Sequence, residues 1–485
     1  MPRSGDRNRP GRRPRGRPRA IFLAAAWLAL ACEPDAAVAP PLPLPPRRPA
    51  PLVVTSSVTG NPGNVLGATV VAHVRFADSV AVRYGLAGTT PNSATPAVPT
   101  LGDSALIPVL GLLPDRDYTL QVVAYGGGRI TVGDTVTLRT DRLPTDLPSY
   151  VAGGSDPSPG YVVFAMGNYG LVIDNTGRVV WYHRFAYGAG LAFAAQPTGR
   201  YTARPATPEP TDPHVWVEID LLGTMTRTFD CARGLEPRLH DLIAELDGSY
   251  WLMCDETRVM DLSGIGGVAS AQVTGTVIQH LSREGVLLFE WSPFDHFAIT
   301  DLDAGSRTGS TVNWTHGNAL DLDTDGNLVV SFRNLSEITK IDTRTGDVLW
   351  RLGGVRNEFT FAGTSAPAFA RQHGVRLAAD GGLLLLDNLG DPTGSRAERY
   401  GYDPALRAAR LLAAQEPTPT VTAQLGGSVQ ELPGGRTLVS YGTGARVEEY
   451  DAAGRVVWRI EGAPGYVFRA QRIRSLYAPG VGLSR

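Results

Sequence analysis

Short runs of alternating apolar and polar residues fill the chain from residue 52 to about residue 142. Examples are "ATVVAHVRF", "SVAVRYGL", "YTLQVVAYG" and "VTLRT", and turns rich in glycine, proline and asparagine separate them. Alternation with a period of two sends neighbouring side chains to opposite faces of a β-strand. Several such strands at short spacing are typical of a β-sandwich. We therefore predict a β-sandwich domain over residues 52–142.

The chain after residue 150 repeats one motif, a turn followed by a strand that ends in tryptophan. Its clear copies are "DNTGRVVW" from Asp174, "DTRTGDVLW" from Asp342 and "DAAGRVVW" from Asp451, and weaker copies begin at Asp220, Ser282 and Asp403. The six copies lie 46 to 62 residues apart, which is room for four short strands in each unit. This repeat predicts a six-bladed β-propeller over residues 150–485. The alternative, a pair of long β-sandwiches, would not need equal repeats.

Three histidines share one position in the repeat, before the first turn of three successive units. His240 precedes Asp247-Gly248, His316 precedes Asp325-Gly326 and His373 precedes Gly381-Gly382, while Ser428 holds the same place in the last unit. In a propeller the first strand of each blade lines the central tunnel, so these residues are predicted to meet near the axis. The histidines outside this register are interpreted as structural or surface residues: His73, His183, His214, His280 and His296.

The segment "WTHGNALDLDTDGNLVVSFRN" is predicted to form a hairpin that returns Arg333 to the same tunnel mouth as His316. Neutral imidazoles beside a guanidinium favour an anion over a cation, because Arg333 would oppose a metal ion electrostatically. Arginine binds two oxygens of a sulfate or phosphate at once, and Asn318 is predicted to donate a further hydrogen bond. Histidine acts as a nucleophile or as a proton donor. The pattern indicates group transfer through a histidine, without a metal or cofactor.

The first 32 residues indicate export. Eight arginines between Arg3 and Arg19 precede the apolar run "AIFLAAAWLALA", which is too short to span a bilayer comfortably. The run ends at Cys32 in "LALAC", which resembles a bacterial lipobox, and simple secretion with cleavage near Cys32 is the alternative. Residues 33–51 read as a proline-rich linker. Glu33 after the cysteine favours the outer membrane, so the protein is predicted to be exported, as a periplasmic or outer-membrane lipoprotein.

Removal of residues 1–32 leaves 37 basic and 46 acidic residues, a net charge of −9. This charge disfavours nucleic acid as a partner, and an anionic substrate would need a local arginine to hold it. Cys231 and Cys254 are the other two cysteines. An oxidising compartment would allow them to pair, and the sequence leaves the bridge open.

The chain resembles the bacterial arylsulfotransferases over roughly residues 150–480. The resemblance rests on "WTHGNALDLDTDGNLVVSFRNLSEITKIDTRTGDVLWRLGG", "FARQHGVRLAADGGLLLLDNLG" and "LHDLIAELDGSYWLM". It implies a six-bladed propeller behind a small β-sandwich, in keeping with "LLPDRDYTLQVVA", whose Tyr118 is similar to the tyrosine corner of fibronectin type III-like domains. It also implies transfer of a sulfuryl group from an aryl sulfate to a phenol through a sulfohistidine, independent of a nucleotide sulfate donor.

The resemblance implies roles for individual residues. His373 matches the nucleophile, and the supporting site matches His240, His316, Asn318, Arg333 and, near its end, Thr443. The chain departs from the family where Gly374-Val375 replaces Asp-Ala after the histidine, and where Asn334 replaces a histidine after the arginine. These departures concern the substrate range more than the reaction type. The sequence leaves open a homodimer, a metal-dependent enzyme and a non-catalytic propeller that binds a glycan or protein.

Overall fold

The structure is a computed structural model that describes residues 48–190, 192–206, 214–364, 368–390, 394–462 and 465–482. The predicted signal peptide, Cys32 and nearly all of the predicted linker lie outside these residues. Residues 49–485 cluster into one compact unit. Among the described residues, no helix has the length and apolar composition needed to cross a membrane.

The first eight strands form the predicted sandwich. One sheet has the order β1-β2-β6, and the other has the order β4-β3-β7-β8 with β5 paired to β3. The Tyr118 hydroxyl accepts a hydrogen bond from the Leu113 backbone N–H at 2.8 Å, as expected of a tyrosine corner. The strands are β1 (Leu52–Gly60), β2 (Gly67–Arg75), β3 (Ser79–Leu86), β4 (Ser93–Ala94), β5 (Val98–Pro99), β6 (Ser104–Leu110), β7 (Asp117–Gly126) and β8 (Arg129–Arg139).

The strands that follow build six sheets in chain order. The first thirteen of them are β9 (Val151–Gly154), β10 (Tyr161–Met166), β11 (Tyr169–Ile173), β12 (Val179–Arg184), β13 (Ala194–Ala195), β14 (Tyr201–Ala203), β15 (Trp216–Ile219), β16 (Met225–Phe229), β17 (Glu236–Ala244), β18 (Tyr250–Met260), β19 (Ala271–Leu281), β20 (Leu287–Trp291) and β21 (Thr311–Asn313). The remaining fourteen are β22 (Gly317–Leu322), β23 (Leu328–Phe332), β24 (Glu337–Ile341), β25 (Val348–Gly353), β26 (Thr360–Ala362), β27 (His373–Leu377), β28 (Leu383–Asp387), β29 (Arg396–Asp403), β30 (Ala408–Gln415), β31 (Ser428–Leu432), β32 (Arg436–Ser440), β33 (Val447–Tyr450), β34 (Val456–Glu461) and β35 (Ala470–Ile473).

Helical segments in the described residues are single turns between strands. They are the α-helix Pro293–His296 and the 3-10 helices Ala232–Gly234, Ser263–Ile265, Ile299–Asp301, Gly305–Arg307 and Arg333–Leu335. The predicted all-β class is therefore confirmed.

The six sheets form a six-bladed propeller, and strands from both ends of the region close the ring. Blades two to five are the meanders β13-β14-β15-β16, β17-β18-β19-β20, β22-β23-β24-β25 and β27-β28-β29-β30. Blade one takes its inner strand from the end of the region, in the order β35-β10-β11-β12. Blade six is β31-β32-β33-β34, with β9 added to its outer edge. The boundaries of the domains stay a prediction.

The repeated tryptophan motif joins neighbouring blades. In the turn before β12, Gly177 has a φ of 85°, which glycine adopts readily, and its N–H donates to the Asp174 carbonyl at 3.0 Å. The Trp181 indole that ends the motif donates to the carbonyl of Leu221, in the matching turn of blade two, at 2.8 Å. Trp458 of blade six donates in the same way to Asn175 of blade one at 2.9 Å. In these two copies the motif therefore joins one blade to the next.

The sandwich shares two hydrophobic cores with the propeller. Leu66 packs in the core between blades six and one, and Leu110 in the core between blades one and two. Two hydroxyl groups of the propeller accept backbone hydrogen bonds from the sandwich, Tyr182 from Val65 and Tyr477 from Leu110, both at 3.1 Å. These contacts explain why residues 49–485 form one unit.

Cys231 and Cys254 form a disulfide, with their Cα atoms 6.2 Å apart. The bridge joins the segment before β17 to β18 and closes a loop across 23 residues that contains His240. It therefore ties the chain on both sides of one predicted site residue.

We expect the bridge to stabilise the folded protein by about 3 kcal/mol, because it limits the unfolded chain. Reductant should lower the melting temperature of the wild type. The double variant Cys231→Ala/Cys254→Ala is the control, and should melt like the reduced wild type with or without reductant. Equal melting of oxidised and reduced wild type, with two free thiols by titration, would contradict the prediction.

Candidate active site

The three register histidines lie in blades three, four and five, at the mouth of the propeller tunnel. His373 begins β27 and His316 directly precedes β22, whereas His240 lies inside β17, within a register shift between Pro237 and Leu242. The ring centroids of His240 and His316 are 5.0 Å apart. Phe468, just before β35, packs edge-on against His240 at 5.7 Å and against His373 at 6.2 Å. The structure thus brings the three histidines together around one phenylalanine.

His373 has a defined tautomer. Its Nδ1 lies 2.8 Å from the side-chain oxygen of Asn388 and 3.1 Å from the carbonyl oxygen of Arg371. The Asn388 amide nitrogen donates to the carbonyls of Ala423 and Gly426, so its oxygen is the atom turned toward His373. Two acceptors require Nδ1 to carry the hydrogen. The lone pair of the ring is therefore on Nε2.

His316 is bound in the opposite sense. The Asn313 side-chain nitrogen donates to its Nδ1 at 2.8 Å, so Nε2 carries the hydrogen and is a donor. His316 has a φ of 50°, in the left-handed region that non-glycine residues rarely adopt. Strained backbone of this kind concentrates at functional sites. The arrangement orients a hydrogen-bond donor close to His240.

All three histidines are held neutral by their surroundings. Burial, opposed in part by the hydrogen bond to Asn388, lowers the pKa of His373 from 6.5 to about 4. Burial and then the Arg238 guanidinium lower the pKa of His316 to about 2. Burial and Arg238 also lower the pKa of His240 well below its usual value. Desolvation acts against the charged form of each ring, and nearby cations add to it.

Arg333 returns to the mouth next to His316, as the hairpin predicted. Its backbone N–H donates to the His316 carbonyl at 3.0 Å. Its guanidinium donates to the side-chain oxygen of Asn334 at 2.9 Å and to the Gln424 carbonyl at 3.2 Å. The buried Nε of Arg333 has no hydrogen-bond partner among the described residues. Burial and Arg371 lower the pKa of Arg333.

Asn318 and Thr443 contact the protein around the site. Asn318 is fully buried, and its amide nitrogen donates to the Gln372 carbonyl at 2.7 Å. This contact makes Asn318 a positioning residue for the strand that carries His373; its predicted contact with substrate stays a prediction. Thr443 is exposed, and its hydroxyl accepts from the Leu425 N–H at 3.3 Å.

Gly374, which replaces the family's aspartate, has a structural reason. Its φ is 63°, and a Cβ at this position would lie 2.6 Å from the Gly427 carbonyl oxygen and 2.7 Å from the Cα of Ser428. Blade six therefore approaches β27 too closely for a side chain. Ser428, which holds the register position in blade six, bonds both backbone groups of Ala470 in β35 and joins blades six and one.

A buried ion network lies directly behind the histidines. The Asp241 carboxylate pairs with Arg376 of β27 at 2.9 Å and with Arg469, just before β35, at 2.8 Å. It also accepts the Leu320 N–H of β22 at 3.1 Å. One side chain thus joins blades three, four, five and one beside the axis.

The sequence reasoning missed four residues at this mouth: Arg238, Arg371, Asn388 and Phe468. Asn388 directly follows β28, and Leu386 of that strand pairs with His373. Following the hairpin from His373 through its turn to the paired strand therefore leads to the region of Asn388. This is the same count that led from His316 to Arg333. Arg371, two residues before His373, and Arg238, two residues before His240, had no comparable signal.

Within the described ranges, no group of three or more histidine, cysteine, aspartate or glutamate side chains is arranged to hold a metal ion. Three cationic side chains, Arg238, Arg333 and Arg371, contribute to the field at His316. The described mouth therefore presents neutral imidazoles within a positive field, which suits an anion.

The model of the family described as Arylsulfotransferase (ASST) matches residues 237–463. This match supports the arylsulfotransferase family for the matched residues. The matched segment includes all three register histidines, Arg333, Asn318 and Thr443. The family supports aryl sulfotransferase activity in general and small aryl molecules as substrates.

A search of curated proteins finds no match. Among solved structures, a protein of unknown function from Bacteroides caccae is 13% identical, with a TM-score of 0.43, and the match covers 66% of this chain and 100% of that one. Virginiamycin B lyase from Staphylococcus aureus is 12% identical, with a TM-score of 0.35, and the match covers 64% of this chain and 88% of that one. Neither likeness bears on the function of this chain.

The lowered pKa of His373 predicts that the stability of the arylsulfotransferase region depends on pH. The unfolded chain takes up a proton near pH 6.5, but folded His373 does so only near pH 4, so stability is lost as the pH falls between these values. In His373→Gln, the slope of unfolding free energy against pH near pH 5 should be smaller by about 1 kcal/mol per pH unit. Denaturant titrations at several pH values measure it.

The same substitution at His73, an exposed residue of β2, is the matched control. Identical slopes in the wild type and in His373→Gln would show that folded His373 titrates like an ordinary histidine.

Proposed function

We propose that this protein transfers a sulfuryl group from an aryl sulfate to a phenol through a covalent intermediate on His373. The observation that carries the proposal is the tautomer of His373, which leaves a lone pair on Nε2 in a neutral ring. Arg333 lies close enough to lower the pKa of His373 further. A neutral nucleophile beside a guanidinium suits attack on an anionic sulfate ester.

In the first half-reaction, Nε2 of His373 attacks the sulfur atom while the bond from sulfur to the aryl oxygen breaks. The sulfuryl group becomes bonded to Nε2, and the phenolate leaves with the electron pair of the broken bond. Nδ1 keeps its hydrogen, and the positive charge that develops on the ring is stabilised by the bond to Asn388. Arg333 binds the outer oxygens of the moving group, where charge accumulates by analogy with phosphoryl transfer.

His316 assists the leaving group by hydrogen bonding. Its pKa of about 2 means that it is neutral at ordinary pH and has no readily lost proton. Its Nε2–H can still donate to the leaving oxygen, and removal of one such donor costs about 10²- to 10³-fold in rate. A phenol has a pKa near that of tyrosine, about 10, so phenolate can leave without full protonation. His316 is therefore proposed to act as a neutral hydrogen-bond donor and not as a charged acid.

In the second half-reaction an acceptor phenol binds in place of the first. Its oxygen attacks sulfur, the bond from sulfur to Nε2 breaks, and neutral His373 is regenerated. The acceptor releases one proton and the departed phenolate takes up one, so the overall exchange balances. A non-catalytic propeller that binds a glycan or protein needs neither the fixed tautomer nor the neutral imidazoles.

The intermediate predicts a covalent adduct on His373. Wild-type protein incubated with a chromogenic aryl sulfate but no phenol, and then quenched in alkali, should carry one SO₃ group on the peptide containing His373. Peptide mass spectrometry before and after mild acid measures the adduct, which acid should remove. His373→Asn should abolish both the adduct and transfer to phenol, whereas His316→Asn should retain slow transfer with ping-pong kinetics.

His296→Asn is a control, because His296 stacks on Trp291 in the core between blades three and four, outside the register. An adduct on His240 or His316, or ping-pong turnover by His373→Asn, would contradict the assignment.

We also propose that the protein is exported and anchored through a lipid on Cys32. The support is the arginine-rich start, the short apolar run and the lipobox-like end at Cys32. Metabolic labelling with a fatty acid should mark the wild type and leave Cys32→Ser unlabelled in a bacterial host. Equal labelling of both proteins would exclude Cys32 as the lipidated residue.

A further inference from the structure

Two arginines at the tunnel mouth bind the same amide oxygen. The side-chain oxygen of Asn334 accepts from Nη1 of Arg333 at 2.9 Å and from Nη1 of Arg371 at 3.0 Å. The two nitrogens are therefore no more than 5.9 Å apart, the sum of these two distances. Asn334 is also the position where the chain departs from the histidine common in the family.

Holding two guanidinium groups this close is unfavourable unless an anion compensates them. The same protein shows such compensation at Asp241, whose buried carboxylate pairs with Arg376 and Arg469. At the tunnel mouth, the neutral amide of Asn334 lies between Arg333 and Arg371, whereas the Asp241 site has a carboxylate between its two arginines. Among the described residues, Arg333 has no ion pair, and the only ion pair of Arg371 is with Asp303 at 3.3 Å.

Asp303 is a weak partner for Arg371. Its side chain is 51% exposed, so water screens the pair. Asp303 lies between two single-turn helices, in the excursion from β20 to β21, and this excursion is anchored separately through Asp301 to Arg351 at 2.9 Å. An anion from solution could therefore replace Asp303 at Arg371 while the excursion stays anchored.

Arg333 and Arg371 contact the surroundings of the nucleophile in different ways. The Arg333 guanidinium acts on the pKa of His373 through its charge, whereas Arg371 contacts that ring through its backbone carbonyl, 3.1 Å from Nδ1. The Arg371 guanidinium instead donates to Asn334 and pairs with Asp303. The Arg371 side chain is 28% exposed, which leaves it open to a ligand in the mouth. In the proposed reaction Arg333 binds the sulfuryl oxygens, so Arg371 is available for a different part of the substrate.

Resting on the proposed function, we propose that Arg371 binds a second anionic group on the aromatic substrate. The substrate class is then phenols, and their sulfate esters, that carry a carboxylate or sulfonate away from the reacting oxygen. Arginine suits this role because its planar donor groups match the two oxygens of a carboxylate. Donor and acceptor bind in turn at the same place, so one arginine serves both half-reactions.

The test compares three phenols that differ mainly in the charge of the side chain: 4-hydroxyphenylacetate, 4-methylphenol and 4-hydroxyphenethylamine. With a chromogenic aryl sulfate as donor, the wild type should give the highest kcat/KM with the anionic phenol and the lowest with the cationic one. In Arg371→Gln the ratio of kcat/KM for the anionic phenol to that for the neutral phenol should fall about 10- to 100-fold, because a hydrogen bond to a charged group is lost. The ratio cancels any general effect on catalysis.

Two further variants sharpen the result. Asp303→Asn removes the internal competitor and should raise the same ratio. Arg356→Gln is the matched control, because Arg356 pairs with Asp301 of the same excursion and is 54% exposed, and it should leave the ratio at the wild-type value. An Arg371→Gln ratio equal to that of the wild type would overturn the proposal.

A binding measurement distinguishes failure of this proposal from failure of the proposed function. Calorimetric titration of the three phenols into wild type and Arg371→Gln needs no turnover. Preference for the anionic phenol that is lost in Arg371→Gln supports the inference even if no transfer occurs, in which case the proposed function fails by itself. Equal affinity of the wild type for all three phenols would overturn the inference even if transfer proceeds through His373.

Discussion

The Asp241 carboxylate, buried between Arg376 and Arg469, is the contact on which the geometry of the mouth depends. A buried charge costs several kcal/mol in lost hydration, and only close partners offset that cost. Those partners come from β27 and from the residue before β35, and Asp241 itself directly follows His240. The network therefore fixes, relative to one another, the strand starts that carry His240, His373 and Phe468.

At the histidines next to this network, loss of hydration determines the protonation state of each ring. Burial is the largest cause of the lowered pKa in each of the three histidines. The rings are consequently neutral, and in His373 and His316 the hydrogen bond at Nδ1 determines what Nε2 can do. Asn388 makes His373 an acceptor at Nε2, and Asn313 makes His316 a donor there. Two chemically identical side chains thus acquire opposite roles from two asparagines.

The sequence was sufficient for the features that follow from a repeat. The common position of His240, His316 and His373, the return of Arg333 beside His316 and the tyrosine corner at Tyr118 all depend on strand register, which is readable as spacing. The position of His240 inside a register shift was not readable, because a bulge leaves no mark in the alternation.

Contacts between segments that are distant in the chain could not be predicted from the sequence either. The bond from the Asn318 amide to the Gln372 carbonyl in the next blade was not readable from the sequence, and the predicted contact of Asn318 with substrate stays a prediction. The pairing of Arg333 with Arg371 through Asn334 joins two blades in the same way. Single-sequence reasoning gives the position of a residue along its own strand. It does not give the direction in which a long side chain reaches.

The way the ring closes has a consequence for the order of events in biosynthesis. Blade one receives its innermost strand, β35, only from the end of the propeller region, while β9 from its beginning completes the outer edge of blade six. Until residue 473 has left the ribosome, β10 has an unpaired inner edge at which other extended chains could add. The growing chain therefore carries this open sheet edge from residue 166, where β10 ends, until residue 473, where β35 ends. A chaperone that covers extended segments would protect the edge until the last strand arrives.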